Sequence, residues 1–280
     1  MLDFINDILS YGYLRNALFA TILSGIVCGI VGTYVVSRRS LFLAGGITHS
    51  SFGGLGIALY LGANPILGAT IFAVASSLGI EWATTRSKIR EDSAVGIMWA
   101  VGMATGALFM SLRPGYTSGD LSSYLFGSII TVTTEDVVSL AIFAAALLLS
   151  ASLWLRPVML VAFDRDFARS QGVPTRLISY AMAAVTSLAI VLSIRTMGII
   201  LLISLLTLPV VIADTFAKSY RQIVVIAPIV AILGNIAGLY ISYEFEVPPG
   251  ASIIFLLSFT LIIIKVISLW AEKWSSTKCK

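Results

Sequence analysis

Nine apolar stretches, each close to 20 residues long, constrain this chain more than any other feature: 14–37, 41–61, 66–85, 94–112, 137–155, 177–194, 198–217, 223–243 and 251–270. About 20 apolar residues is the helix length that crosses a bilayer core. In lipid, each segment must satisfy its own backbone hydrogen bonds, so each is expected to be helical. Only 11% of the residues are charged, against about 25% in soluble domains. The predicted fold is therefore all-α: a polytopic transmembrane bundle of eight or nine spans, forming one domain over residues 1–280. The segments nearly exhaust the chain, leaving no room for a soluble catalytic domain. The 41–61 stretch is interrupted by Gly45-Gly46 and Gly53-Gly54, which marks it as a candidate for a discontinuous segment.

The formal net charge is +4, but it does not point to nucleic acid. The basic residues are sorted into alternate loops, which is the orientation signal of a membrane protein. One set of loops holds Arg38, Arg39, Arg86, Lys88, Arg90, Arg156, Arg165, Arg169, Arg176, Lys218 and Arg221, and the tail adds Lys273, Lys278 and Lys280. The opposite set holds Arg15, Arg113 and Arg195 among the acidic residues Asp3, Asp7, Asp120, Glu135, Asp136, Glu244 and Glu246. The expected orientation has the C-terminus cytoplasmic and the N-terminus outside, in a multi-pass cell (inner) membrane protein. The acidic start of the chain is not the basic region of a signal peptide. Cys28 and Cys279 suggest neither a disulfide nor a zinc pair.

His49 is the chain's single histidine, ten residues past Arg39. That spacing puts it roughly 15 Å into the membrane. An ionisable residue at such depth is a functional candidate, and neutral imidazole is a common transition-metal ligand. Thr48, Ser50 and Ser51 surround it. The alternative is a structural histidine hydrogen-bonded between helices. One imidazole is too few ligands to hold zinc, but a transit site must also release its ion. In a two-fold dimer, two copies of His49 would share one axis.

Around His49, Gly53, Gly54 and Gly56 read as close helix packing. For Gly45 and Gly46, packing and local unwinding remain open. Pro209 frees the carbonyl of Leu205 beside Ser204 and Thr207, where a kink would either line an ion path or only shape packing. Asp214 stands four residues before Lys218, a spacing that permits a helical ion pair. Glu81 is expected to pair similarly with the basic run from Arg86 to Arg90.

Of two longer connections, the one predicted to be cytoplasmic, 157–176, contains Asp164-Arg165-Asp166-Phe167-Ala168-Arg169, closed by Gly172 and Pro174. This reads as a short helix with an aspartate N-cap, suited to docking a soluble partner. The chain has no GxxxxGK[ST] phosphate loop, so ATP would be hydrolysed by another polypeptide. No carboxylate lies at midplane depth, which argues against the alternative of an ion-gradient-driven secondary transporter of a small cation. Ser50 and Ser51 do not form a nucleophile–base pair with His49, because adjacent helical residues point about 100° apart.

Several blocks together resemble the permease subunits of ABC importers for zinc, manganese and iron, the ZnuB-like family. VVSRRSLFLAGGITHSSFGG resembles its paired arginines followed by a membrane histidine, and GDLSSYLFGSIITVTTED its outer-loop block. AFDRDFARSQGVP is similar to its ATPase-coupling segment, and MGIILLISLLTLPVVIAD with EVPPGASIIF to its last two blocks. The resemblance spans nearly the whole chain, in order. It implies a homodimeric permease in the lipid bilayer, a cytoplasmic ABC ATPase and an extracytoplasmic metal-binding protein. It implies a transported divalent ion (zinc, manganese or iron) and no tightly bound cofactor. Carried onto this sequence, it makes His49 the pathway histidine; Thr48 and Ser50 beside it, and Thr207 with the Pro209 kink, are the other pathway candidates from the residues themselves. Phe163, Asp164, Ala168 and Gly172 fall in the ATPase-coupling segment. Asp120 and Glu246 fall at the outer mouth. The sequence departs at Gly45, where many members carry an aspartate, and at Ser128, where the motif often ends in aspartate.

Overall fold

The computed structural model describes residues 2–87, 89–112 and 132–278, and every regular element among them is an α-helix. In chain order these are α1 (Leu2–Ser10), α2 (Gly12–Ser37), α3 (Leu41–Tyr60), α4 (Pro65–Arg86) and α5 (Glu91–Ser111). There follow α6 (Thr134–Phe163), α7 (Arg165–Ser170), α8 (Thr175–Phe216), α9 (Tyr220–Phe245) and α10 (Pro249–Lys278). Eight of them are long and apolar enough to cross a membrane. The short α1 was not anticipated from the sequence.

Local chemistry explains where these helices start. Asn64 accepts from the N–H groups of Ile66 and Leu67, with Pro65 in the first turn, where its missing N–H costs nothing. Thr133 and Asp136 form a reciprocal capping box at the start of α6. The predicted nine segments and the eight observed helices are reconciled in α8, a 42-residue helix. Straight, it would run about 63 Å, twice the thickness of a bilayer core. It is instead two abutting limbs that meet at Gly198, whose φ of 75° and ψ of 168° lie in a region that essentially only glycine enters.

Contacts show that the chain reverses there. Ile178, early in the first limb, packs with Val161 near the end of α6. Arg195, late in that limb, pairs with Asp136 at the start of α6. In the second limb, Ala213 packs with Ala227, beside Val36 and Ile223, back at the end where Tyr220 meets Phe163. The segments 177–194 and 198–217 are thus two limbs of one helical hairpin.

The bundle consequently has two chemically distinct ends. One gathers Arg38, Arg165 and the start of α9. The other gathers Asp136 and Arg195, and the Tyr243 hydroxyl there donates to Asp7. Among the described residues, the basic and acidic loops sorted in the sequence fall at these opposite ends.

Two expectations are corrected. The 41–61 stretch is not discontinuous, since α3 runs unbroken from Leu41 to Tyr60 and Gly45 and Gly46 keep helical backbone. The helical ion pair between Asp214 and Lys218 does not form, because α8 ends at Phe216 and the Lys218 N–H turns to Gln222 Oε1, 2.6 Å away.

Candidate functional site

α3 is the most enclosed of the short spans, and its small residues are the reason. A side chain on Gly102 of α5 would collide with Cα of Ser50, and one on Gly106 with Phe52. A side chain on Gly46 would collide with Val95, and one on Gly54 with the Gly68 carbonyl of α4. Close backbone approach of this kind is what small residues provide in lipid. It brings Trp99 of α5 against His49, which stands eight residues into α3, roughly 12 Å along it.

The imidazole stacks on the indole with centroids 4.2 Å apart and planes 4° from parallel. Phe42 extends the cluster, 6.1 Å from Trp99. His49 is half-buried, so part of its side chain remains accessible. Its Nδ1 is buried without a hydrogen-bond partner. Such a nitrogen is costly to leave unmet, and a neutral imidazole can offer a ring nitrogen to a metal ion. Among the described residues, no group of three or more His, Cys, Asp or Glu is placed to hold a metal ion.

The other candidates separate. The hydroxyls of Thr48 and Ser51 donate to the carbonyls of Ala44 and Thr48 at 2.8 and 2.7 Å, leaving their oxygen lone pairs free. Both line a small cavity of about 50 Å³ between α3, α4 and the tip of α8, which Arg195 and Ile199 also reach. Ser50 is buried in the α3–α5 contact and donates to the Ile47 carbonyl at 3.0 Å. Thr207 donates to the Ile203 carbonyl at 2.7 Å and does not line the cavity with Thr48. Pro209 lies inside α8 with helical backbone, and the non-helical break of that element is at Gly198. Gly45, one turn before His49, has open space where a side chain would project.

At the acidic end, Arg195 Nη1 lies 2.7 Å from Asp136 Oδ1. With Glu135 and Ser139 they line a cleft of about 130 Å³. Glu246 is exposed and ends α9 in left-handed backbone, φ 53°. Asp120 and Ser128 lie outside the described residues.

At the basic end, neither Arg86 nor Arg90 pairs with Glu81. It lies 3.0 Å from both Arg38 and Arg165, and Arg38 lies 3.4 Å from Glu91. Burial works against the Arg38 charge, but Tyr34, Glu91 and Glu81 outweigh it and hold the guanidinium above its ordinary pKa. The connection 157–176 is shorter than expected, since residues 157–163 complete α6. The short helix itself forms as the capping residues predict. Asp164 Oδ1 accepts from the N–H groups of Asp166 and Phe167 at 2.9 Å, and Gly172 closes it at φ 76°. Ala168 is buried against Val161 and Ile178, while Phe163 sets its ring edge-on to Tyr220, 5.8 Å away. The exposed Phe167 leaves an apolar side chain on the outer face of this helix.

Sequence reasoning did not find Trp99, or the tie from Glu81 to Arg165. The only signal for either was an aromatic or a carboxylate inside a span, and that names no partner.

The model of the ABC 3 transport family matches residues 10–268. The chain is 34% identical over 256 residues to the manganese transport system membrane protein MntC of Halalkalibacterium halodurans, covering 91% of this chain and 87% of the relative. It is 30% identical over 263 residues to an uncharacterized membrane protein of Synechocystis, covering 94% and 93%. Among solved structures, it is similar to PsaBC from Streptococcus pneumoniae in complex with Fab. The TM-score is 0.82 at 27% identity, covering 94% of each chain.

Proposed function

The chain belongs to the ABC 3 transport family, as the membrane permease subunit of an ATP-driven importer for a divalent transition-metal ion, and from that premise we propose that it carries manganese past His49 at the axis of a homodimer. ATP is hydrolysed on a separate subunit, so the chain is not itself an enzyme.

The observation that carries the proposal is the geometry of His49. Its ring is fixed flat on Trp99, part of its side chain remains accessible, and its Nδ1 has no partner. A single imidazole from each of two copies makes a site weak enough to release its ion, as conduction requires. The similarity to MntC, a manganese transport system membrane protein, supports manganese as the cargo. In this reading Thr48 and Ser51 lead toward His49 from the acidic end. An extracytoplasmic metal-binding protein meets that end, with Glu246 and Asp120 suited to the contact. The ABC ATPase docks on α7 and its flanks, from Phe163 to Gly172, so the basic end and the C-terminus are cytoplasmic.

The test is ATP-dependent uptake by the permease reconstituted with its ATPase. Manganese uptake should exceed that of zinc and iron, and His49→Ala should reduce it at least tenfold. Uptake unchanged by His49→Ala removes the residue from the pathway, and faster zinc or iron uptake replaces the cargo.

A further inference from the structure

A second cavity, unconnected with His49, opens at the basic end between α2, α6, the first limb of α8 and α9, with a volume of about 210 Å³. Its walls are apolar, built from Leu147, Met182 and the faces of Tyr34 and Tyr220. Trp154 and Leu177 stand at its rim, 51% and 62% exposed, so it opens outward from the bundle between two membrane-spanning helices. An apolar cavity of this kind stays dry and takes an apolar occupant. In a bilayer, the available occupant is an acyl chain.

The rim adds charge to this shape. Arg156, Arg176 and Arg221 are exposed, and each is the immediate chain neighbour of a lining residue: Leu155, Leu177 and Tyr220. Long cationic side chains at such a level extend their heads to the interface. Basic pockets between membrane helices recognise acidic headgroups.

We propose that this cavity binds one anionic phospholipid, with an acyl chain lodged between α6 and the first limb of α8 and the phosphate held by Arg156 and Arg176. The inference does not depend on the route of the metal.

Trp154 at the rim is a built-in reporter. The complete transporter is reconstituted into vesicles containing either brominated phosphatidylglycerol or brominated phosphatidylcholine. Quenching assigned to Trp154, by difference from Trp154→Phe, should be at least threefold stronger with the anionic lipid. Arg156→Gln with Arg176→Gln should remove that preference while leaving quenching by bulk lipid. Ala151→Phe and Ala181→Phe, each filling the cavity from a different helix, should abolish the excess in variants that still co-purify with the ATPase. Equal quenching by the two lipids overturns the proposal, as does a preference that survives both filling variants. Dissociation of the homodimer by either filling variant, without any lipid preference in the parent, would assign the face to a second copy and also overturn it.

Discussion

His49 and Trp99 stand fifty residues apart in the chain, yet their rings lie parallel within 4° at 4.2 Å. The stack fixes the imidazole plane, and with it the direction in which the ring nitrogens point. Indole covers one flat face of the ring, so on the proposed route an ion would approach the nitrogens in the ring plane.

Trp99→Ala should therefore weaken transport without unfolding the permease. An aromatic stack contributes about 1 kcal/mol, or roughly fivefold in an equilibrium. The manganese concentration for half-maximal uptake is expected to rise by about that factor, with Trp99→Phe close to the parent. Uptake curves for both variants decide this, and identical curves for Trp99→Ala and parent would show the stack to be incidental.

Gly45→Asp places a carboxylate one helical turn from His49, where a side chain projects into open space. Carboxylates suit manganese better than imidazole alone. The variant should retain the ion at least tenfold more tightly and, because release must remain fast, turn over more slowly at saturating metal. Equilibrium binding of manganese to the purified permease, beside uptake rates, measures both effects.

Glu81 ties together Arg38 and Arg165, and the two links differ in exposure. Arg38 is 9% exposed and Arg165 36%. Removing the shared carboxylate leaves the buried Arg38 guanidinium only its Tyr34 hydrogen bond and the longer Glu91 contact, which costs up to about 3 kcal/mol. Removing the more exposed arginine costs less than about 1 kcal/mol. Glu81→Gln should thus lower the thermal midpoint much further than Arg165→Gln. Both should loosen α7 from the bundle and reduce stimulation of the ATPase by the permease. Equal midpoints for the two variants would contradict this partition.

Gly198→Ala strains the turn between the limbs of α8, with an expected cost of about 1–3 kcal/mol. An alanine two residues on, Ile200→Ala, stands at an exposed position, lacks that backbone penalty and serves as the control. Thermal unfolding in detergent should rank Gly198→Ala below Ile200→Ala.

The sequence was informative where physics is local. The apolar runs, the sorted arginines and the caps at Thr133 and Asp164 each concern residues a few positions apart, and the helices formed accordingly. The break between Ile194 and Gly198 was legible as a gap between two runs, though not as a single glycine joining two abutting limbs. Gly45 and Gly46 read equally as packing or unwinding, because a glycine pair has the same local propensity in both cases. Close contact with Val95 decided for packing at Gly46. Pro209 looked like the natural break, but the non-helical backbone fell at Gly198.

Composition and periodicity alone determined that this chain lives in a bilayer, has two oppositely charged ends and carries one imidazole deep between them. Tertiary structure alone decided what that imidazole rests on, and which arginines, 43 and 84 residues away, claim Glu81. The reason is range. Helix formation and insertion follow from hydrogen bonds and hydropathy within one segment, whereas the pairing of distant helices depends on where small residues let two backbones meet.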